Sequence, residues 1–148
     1  MKLTLAAIGL RARSSNYDDL TELYRERTAA YSEIELTTQR TSQAFFEGLE
    51  KQRARTSPIL VLLDSSGKQL SSENFAQWIG RQRDEGQQRI VFAIGPANGW
   101  TPGEKARANL LLSLGPMTLP HELARLVLSE QIYRAFTILS GHPYHTGH

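Results

Sequence analysis

The chain of 148 residues contains no cysteine and no long uninterrupted apolar segment. The missing cysteines exclude a disulfide framework, a thiolate metal site and a cysteine nucleophile. The opening MKLTLAAIGL has one lysine and an apolar run that is too short for a signal sequence, and no later segment approaches the length of a membrane span. We therefore expect a soluble, cytoplasmic protein that has no membrane partner.

Positive and negative charges are nearly balanced. The 17 lysines and arginines face 15 aspartates and glutamates, which leaves a formal net charge of +2. A domain that grips bare nucleic acid usually shows a strong basic excess, so this balance is only a weak indication of RNA binding. Thirteen of the basic residues are arginines, whose planar guanidinium pairs well with phosphate. Charge alone leaves the partner open.

Several enzyme motifs are absent as well. Gly95 and Gly99 bracket a loop that is neither GxGxxG nor a P-loop with its Lys-Ser/Thr pair, which disfavours phosphate cradling and makes a plain turn an equally good interpretation. No nucleophile elbow or Ser/His/Asp order supports hydrolase chemistry. His142, His145 and His148 recur every third residue without an acidic ligand beside them, so we predict no metal site.

What is present predicts an α/β fold. Hydrophobic residues at 40% and charged residues at 22% suit one globular domain. Strands are predicted at 2–10, 33–39, 59–63, 89–94 and 110–114, and helices at 16–31, 42–55, 72–86, 103–109 and 120–139. Three of the strands are apolar at nearly every residue, which is typical of a parallel sheet covered on both faces. Alternation of strands and helices therefore predicts a mostly parallel sheet flanked by helices.

In such sheets ligands bind beyond the carboxyl ends of the strands. These ends fall on Leu63 and Asp64, on the loop from Gly95 to Gly99, and on the segment from Leu114 to Leu119. The third predicted strand, which begins at Ile59, is expected to stop at Asp64, before a Ser-Ser-Gly turn. We expect a cofactor to bind where these three loops meet.

The final helix is apolar all round, and such a helix must be covered on every side. In a domain of this size a second subunit is the simplest cover, so we predict a homodimer built on this helix. Arg125 and Arg134 interrupt the apolar pattern; either they have a functional role or they pair with Glu122 or Glu130, and the sequence does not choose between these. The Asp18–Asp19 pair is interpreted as solvated charge at a helix end.

Three segments carry a family resemblance: residues 113–121 read SLGPMTLPH, residues 130–135 read EQIYRA and residues 142–145 read HPYH. With them the chain resembles the ribosomal RNA large subunit methyltransferase H family, small SPOUT enzymes that methylate N3 of a pseudouridine in 23S rRNA. The resemblance spans the whole length, is dense after Leu110 and is loose before Ile59. It implies a single domain at 1–148 with a trefoil knot and cofactor region at about 90–139 and a functional tail at 140–148. It also implies a homodimer and S-adenosylmethionine as methyl donor.

The resemblance also implies site residues. The cofactor-binding positions would be Leu63, Gly95, Pro96, Leu114, Gly115, Pro116, Met117, Thr118 and Leu119, and the catalytic positions His145, Tyr144, Arg125 and Arg134. His145 would take the proton of the base, because a neutral imidazole with an ordinary pKa of about 6.5 is available near neutral pH. Tyr144 would stack on the base, and Arg125 or Arg134 would hold a phosphate or a developing oxyanion.

Three positions depart from the family pattern. The family usually has Gly-Gly where Gly95-Pro96 stands, an acidic residue at Asn98, and Arg at the position of Thr146. Proline removes an N–H donor, so an alternative function is a non-enzymatic RNA- or ribosome-binding factor with a degenerate cofactor site. A generic nucleotide-binding domain is a third interpretation, disfavoured because no phosphate loop is present. For the enzyme, the mild net charge favours the assembled ribosome over naked rRNA as substrate.

Overall fold

Within residues 1–9, 16–52 and 56–147, which the computed structural model describes, five parallel strands form one sheet. The strands are β1 (Lys2–Ile8), β2 (Glu33–Gln39), β3 (Ile59–Gln69), β4 (Arg89–Ile94) and β5 (Leu110–Ser113). Their order across the sheet is β2-β1-β4-β3-β5. The continuous apolar strands β1 and β4 are buried on both faces, which confirms the predicted parallel α/β sheet.

The helices are α1 (Asn16–Ala29), α2 (Ser42–Lys51), α3 (Ser72–Asp84), α4 (Pro102–Lys105) and α5 (His121–Ser140). Thr41 and Ser71 cap α2 and α3, because their hydroxyl oxygens accept from the backbone N–H groups of Ala44 and Asn74. None of the helices in the described part of the chain is long and apolar enough to cross a membrane.

Two apolar clusters cover the two faces of the sheet. On one face α3 and α5 contribute Phe75, Ile79, Ile132 and Phe136, which pack against alternate strand residues such as Leu5. On the other face α2 packs Phe45 and Phe46 with Trp100, which follows β4. Because successive strand side chains point to opposite faces, one strand supplies both clusters. The sheet is thereby held rigid, and its carboxyl edge carries the loops of interest.

The expectation that β3 stops at Asp64 is wrong. The strand continues to Gln69 after a register shift between Leu63 and Lys68, where extra residues bulge away from β5. Gly67 makes this continuation feasible, since a Cβ there would lie 2.7 Å from the carbonyl carbon of Leu111. The Ser-Ser-Gly segment is thus part of an irregular strand pair and not a turn that ends it.

The predicted end of the helix that follows Trp100 is also wrong. The helix predicted to reach Asn109 ends at Lys105, because Asn109 is needed as the first rung beside β3. Its backbone N–H donates to the Leu60 carbonyl and its side-chain oxygen accepts from the Leu60 N–H, each at 2.8 Å. The predicted extension of α2 through 53–55 lies outside the described residues.

Helix α5 obtains most of its cover from its own chain. Helix α3 packs on one side of it and α1 on the other, with Tyr24 of α1 against Tyr133 at 6.0 Å between ring centroids. Leu123, Leu126 and Val127, near the start of α5, remain half-buried. Helices α1 and α3 thus cover much of α5, and a partner could cover half-buried residues such as these. The homodimer stays a prediction.

Helix α1 packs with a face that the sequence pattern did not indicate. Thr21 and Thr28 are fully buried, whereas Leu20 and Leu23 are 44% and 36% exposed. The Thr28 hydroxyl donates to the Tyr24 carbonyl at 2.7 Å, so a polar side chain enters the interior with its hydrogen bond satisfied. The apolar residues on which the helix was predicted instead form an exposed apolar face.

Candidate functional site

A cleft of about 520 Å³ lies at the carboxyl ends of β3, β4 and β5. Eight of the nine positions predicted to bind a cofactor line it: Leu63, Gly95, Pro96, Leu114, Gly115, Met117, Thr118 and Leu119. The ninth, Pro116, is not among its walls. The volume falls in the range of pockets that hold cofactor-sized ligands. The three loops chosen from the strand ends therefore do meet at one site.

Gly95 is required at this position by a tryptophan. The indole of Trp100 lies against its Cα, so that a Cβ on residue 95 would come within 2.8 Å of the ring atoms Cε2 and Nε1. The ring is fixed there because Nε1 donates to the Leu63 carbonyl at 3.0 Å and because Trp100 packs on Phe45 and Phe46. One buried side chain thus joins the ends of β3 and β4 beneath the cleft.

The loop from Gly95 to Gly99 is also the turn that its sequence suggested. The Gly99 N–H donates to the Pro96 carbonyl at 2.8 Å, and Gly99 has φ of 77°, a conformation that favours glycine. Pro96 lines the cleft next to Gly95 but offers no N–H donor there. The loop is therefore both a turn and part of the wall of the cleft.

Asp64 supplies the charge of the cleft. Among the residues that line the cleft it is the only aspartate, glutamate, lysine or arginine. Hydrogen bonds from Ser66, together with the ammonium of Lys105 at 3.4 Å, hold the pKa of Asp64 below its ordinary value. The carboxylate therefore stays ionised, and the walls carry no guanidinium or ammonium that would hold a phosphate.

The segment after β5 shapes the opposite wall. The Ser113 hydroxyl exchanges hydrogen bonds with the backbone of Gly115, accepting from its N–H and donating to its carbonyl, both at 3.1 Å. Gly115 has φ of 130°, and a Cβ there would meet no atom within 4 Å. Met117, two residues on, is 81% exposed at the rim. Hydrogen bonds to Ser113 thus fix this wall, and the space next to the Gly115 Cα is empty.

The chain end folds back on α5 and α3 and forms a polar cluster. Arg134 pairs with Glu130 at 3.0 Å and lies over the ring of Tyr144 at 4.9 Å. The Tyr144 hydroxyl donates to the same glutamate at 3.2 Å. His145 contacts Arg134 through Nδ1 at 2.9 Å and Glu73 of α3 through Nε2 at 3.2 Å. We call these five residues the tail cluster.

These contacts fix the tautomer of His145. A guanidinium can only donate, so Nδ1 is the acceptor and carries the lone pair. The proton then sits on Nε2 and faces the Glu73 carboxylate. In this tautomer the nitrogen that carries the lone pair is covered by Arg134.

Tyr144 is held in its neutral form. Burial raises the pKa of its hydroxyl, and the hydrogen bond with Tyr24 and the negative charge of Glu130 raise it further. The pKa of Arg134 is also raised, chiefly by its hydrogen bonds to Glu130. The cluster thus brings together a neutral phenol, a permanent cation and an imidazole.

Arg125 lies apart from these residues. Its side chain is 8% exposed and pairs with Asp18 of α1 at 3.3 Å. The partners weighed from sequence were Glu122 and Glu130, and only Arg134 pairs with one of them. The interpretation of Asp18 as a solvated helix-end charge is wrong, because this carboxylate ties α1 to α5. Of the four predicted catalytic residues, three share the tail cluster.

Within residues 1–9, 16–52 and 56–147, no group of three or more histidines, aspartates or glutamates lies close enough together to hold a metal ion. His148 lies outside the described residues. His142 is engaged in the tail itself, where its Nδ1 accepts from the Tyr144 backbone N–H at 3.1 Å.

The family is decided by comparison with known sequences. The family model described as Predicted SPOUT methyltransferase matches residues 1–145. The chain belongs to the SPOUT methyltransferase family. Relatives within it bear the name Ribosomal RNA large subunit methyltransferase H. The one from Koribacter versatilis is 46% identical over 148 residues and covers 100% of both chains. The one from Brucella anthropi is 39% identical over 164 residues, covering 98% of this chain and 99% of its own.

Two solved structures have a similar fold at low sequence identity. A SpoU methyltransferase, AviRb from Streptomyces viridochromogenes, was crystallised in complex with the cofactor AdoMet. It aligns with a TM-score of 0.50 at 11% identity over 95% of this chain and 61% of its own. A methylase family protein from Haemophilus influenzae Rd KW20 aligns with a TM-score of 0.56 at 9% identity, over 98% of this chain and 69% of that one. These likenesses show the fold.

Several residues of this SPOUT site were not found from sequence. Trp100 was not singled out from the sequence. Its position directly after the Gly95–Gly99 loop could have indicated it, because a large aromatic side chain there is expected to pack beneath the loop. Glu73 lies 72 positions before His145 in the chain, and no spacing rule joins them. Asp64 was noted only as a strand end, although it was the single charge among the three predicted loops.

Proposed function

We propose that this protein methylates N3 of a pseudouridine in 23S rRNA, with S-adenosylmethionine as the methyl donor and the assembled ribosome as substrate. The observation that carries the proposal is the 46% identity, over the full length of both chains, to a protein named Ribosomal RNA large subunit methyltransferase H. The geometry described above supports it, because a cofactor-sized cleft and a polar cluster lie along the same helix.

The cleft suits S-adenosylmethionine by charge and by size. No lysine or arginine lines the cleft, and its one acidic side chain, Asp64, already pairs with Lys105 at 3.4 Å. These walls disfavour a ligand that carries phosphate and accept one that carries a sulfonium and an ammonium. Gly95, Leu63 and the Leu114–Leu119 segment would hold the ligand, and bound S-adenosylmethionine supplies an electrophilic methyl group. Backbone atoms dominate these walls, so the pocket would recognise the ligand largely by shape.

The base must lose its N3 proton as the N3–methyl bond forms and the bond between that methyl group and the donor sulfur breaks. We assign His145 as the group that receives the proton. Its Nδ1 lone pair faces Arg134, so the substrate has to displace the guanidinium before Nδ1 can act as base. The released guanidinium then lies next to a ring carbonyl, where it stabilises the negative charge that develops. Once they separate, His145 Nδ1 contacts the base N3–H and the Arg134 guanidinium contacts the ring carbonyl. The Glu73 carboxylate keeps the proton on His145 Nε2, which leaves Nδ1 free to accept.

Tyr144 would provide a face for the base. Its ring is already stacked edge-on against Tyr133 at 4.8 Å and beneath Arg134, and stacking of a base on an aromatic ring is worth about 1–3 kcal/mol. Of the two arginines considered from sequence, we assign the oxyanion role to Arg134. Arg125, buried against Asp18, would position α1.

We further propose that the single domain works as a homodimer with a trefoil knot in its cofactor region, and that the tail of one subunit completes the site of the other. The support is an apolar surface near the cleft: Tyr17 and Leu20 of α1 and Met117 at the rim are exposed, and Leu123 and Leu126 are half-buried. Exposed apolar groups of this kind mark interaction surfaces when they are contiguous.

The net charge of +2 supports a structured ribosomal substrate, since such a particle presents shape as well as phosphate. Naked rRNA would then be a poor substrate, because few basic groups are available to grip it.

Calorimetric titration with S-adenosylmethionine tests the cofactor assignment. We expect saturable binding by the wild-type protein and weaker binding by Asp64→Asn, which removes the charge and keeps the shape. A protein that neither binds the cofactor nor methylates ribosomes would instead support the non-enzymatic ribosome-binding factor, with Pro96 as the reason for the lost donor site.

A further inference from the structure

A second cavity, of about 260 Å³, lies beside the cofactor cleft. It is bounded by the start of α3 and the middle of α5, and it shares Leu112, Leu114 and Gly115 with the cleft. Because a Cβ on Gly115 would meet no atom within 4 Å, the wall common to the two spaces is open at this residue. A ligand in the second cavity would therefore lie next to a ligand in the first.

The walls of this cavity carry no charged side chain, in contrast to the tail cluster that adjoins it. Phe75 and Leu128 are among its apolar walls, and its polar residues are Gln69, Ser71, Ser72, Ser113 and Gln131. An uncharged surface of this size excludes phosphate and suits a neutral ring. It is smaller than a typical pocket for a whole cofactor.

Ser72 and Gln131 are held in a defined arrangement. The Ser72 hydroxyl donates to Gln131 Oε1 at 2.7 Å, and Gln131 Nε2 donates to Glu130 at 3.1 Å. The amide nitrogen carries a second hydrogen, and the hydroxyl oxygen keeps its lone pairs. Together they offer a ligand one donor and one acceptor side by side.

We propose that this cavity is the subsite for the target base, a uracil-type ring turned out of its stack; the inference rests on the proposed function and deepens it. Enzymes that modify bases receive the extruded ring in a pocket with apolar faces and a few hydrogen-bonding groups. The cleft that would hold the methyl donor shares Gly115 with this cavity, so a ring bound here would lie beside the donor. The tail that completes the site would come from the partner subunit.

The donor and acceptor pair also gives this subsite a means of specificity. A pseudouridine ring presents N1–H next to the C2 carbonyl, which matches the lone pair of Ser72 and the N–H of Gln131. Its N3, on the other side of C2, is then left facing the shared wall. In uridine N1 bears the ribose and has no hydrogen, so the Ser72 acceptor loses its partner. A buried polar group without a partner is unfavourable, and the subsite therefore prefers pseudouridine.

The test uses the full-length protein and ribosomes that lack the methyl group, with either pseudouridine or uridine at the target position. Ser72→Ala and Gln131→Ala are compared with Gln77→Ala, an exposed glutamine of α3, and the unfolding temperature of each variant is measured. We expect kcat/KM on pseudouridine ribosomes to fall about 5- to 100-fold in the first two variants, the loss expected for an unpaired buried group. Ser72→Ala should also reduce the preference for pseudouridine over uridine. The Kd for S-adenosylmethionine should stay constant.

Gln131→Glu provides a second check, because it keeps the size of the side chain and creates no cavity. It removes the amide N–H donor, so we expect the same loss of kcat/KM. Wild-type activity with wild-type preference in all three site variants would overturn the subsite and leave the proposed function standing. A parallel loss of cofactor affinity would also overturn it, because the residues would then belong to the cofactor cleft. A wild-type protein that methylates no ribosome would overturn both.

Discussion

In the tail cluster, His145 accepts a hydrogen bond at Nδ1 from Nη1 of Arg134 at 2.9 Å, while Nε2 of the same ring faces Glu73 at 3.2 Å. Both ring nitrogens are thus engaged before any substrate arrives. The pairing holds the Nδ1 lone pair of His145 against the Arg134 cation. Under the proposed mechanism, Arg134 must therefore leave Nδ1 before His145 can accept a proton.

Two substitutions of His145 separate a base from a mere hydrogen-bond donor. We expect His145→Ala to lower kcat about 10²- to 10⁴-fold, the usual contribution of a general base, with no change in the Kd for S-adenosylmethionine. His145→Gln can still donate to Glu73 but has no basic nitrogen, so it should be equally impaired. Single-turnover methylation of ribosomes gives the rates. A glutamine variant with wild-type rate would remove proton transfer from the role of this residue.

The two arginines of α5 should respond differently to the same change. Arg134→Met removes the cation of the tail cluster, and we expect a large loss of kcat in a folded protein. Arg125→Met breaks the buried pair with Asp18, so unfolding in urea should show a loss of about 1–3 kcal/mol with the activity per folded molecule retained. Equal losses of kcat in both variants would contradict the division of roles.

Much of this architecture follows from local patterns in the sequence. Continuous apolar strands predicted the parallel sheet, and the helices predicted to begin at residues 42 and 72 do begin there. The position of the cleft could be predicted because strand ends in such a sheet meet at one edge; that it binds a cofactor stays a prediction. What failed depends on contacts between distant residues. The bulge in β3 is set by the close approach of Gly67 to Leu111, and no property of the Asp64 region alone indicates it.

The same reason explains the tail. Its histidines and Tyr144 were noticed from sequence, yet their partners Glu73 and Tyr24 come from α3 and α1, many residues earlier. Helix α1 was recognised through Leu20 and Leu23, whereas the buried face uses Thr21 and Thr28. Contacts with α5 and the sheet bury the threonine face of α1, and the spacing of apolar residues along the helix cannot indicate that.

Gly95 offers a test of the floor of the cleft. A methyl group on this residue would meet the Trp100 ring at 2.8 Å, so Gly95→Ala should destabilise the fold by about 1–3 kcal/mol, as overpacking does, and weaken cofactor binding. Gly48→Ala is the matched control, because a Cβ there meets no atom within 4 Å and the residue lies inside α2. That variant should gain up to about 1 kcal/mol. Thermal unfolding and calorimetry measure both, and normal affinity in Gly95→Ala would contradict this account of Trp100.

The proposed dimer predicts a specific sensitivity on α1. Leu20 is 44% exposed, so Leu20→Glu should leave the monomer folded and place a charge in the subunit interface. Light scattering at micromolar concentration should give a dimer mass for the wild type and a lower mass for the variant. Gln43→Glu on α2, far from this surface in the fold, controls for added negative charge. A monomeric wild type would contradict the dimer and the shared site.

The measurement that bears most directly on the whole account is methylation of ribosomes that lack the modification, followed by nucleoside analysis of the 23S rRNA by mass spectrometry. Purified protein and S-adenosylmethionine should produce N3-methylpseudouridine on the ribosomes and little or none on naked rRNA. Absence of that nucleoside, or a methyl group on another atom or in another RNA, would contradict the proposed reaction.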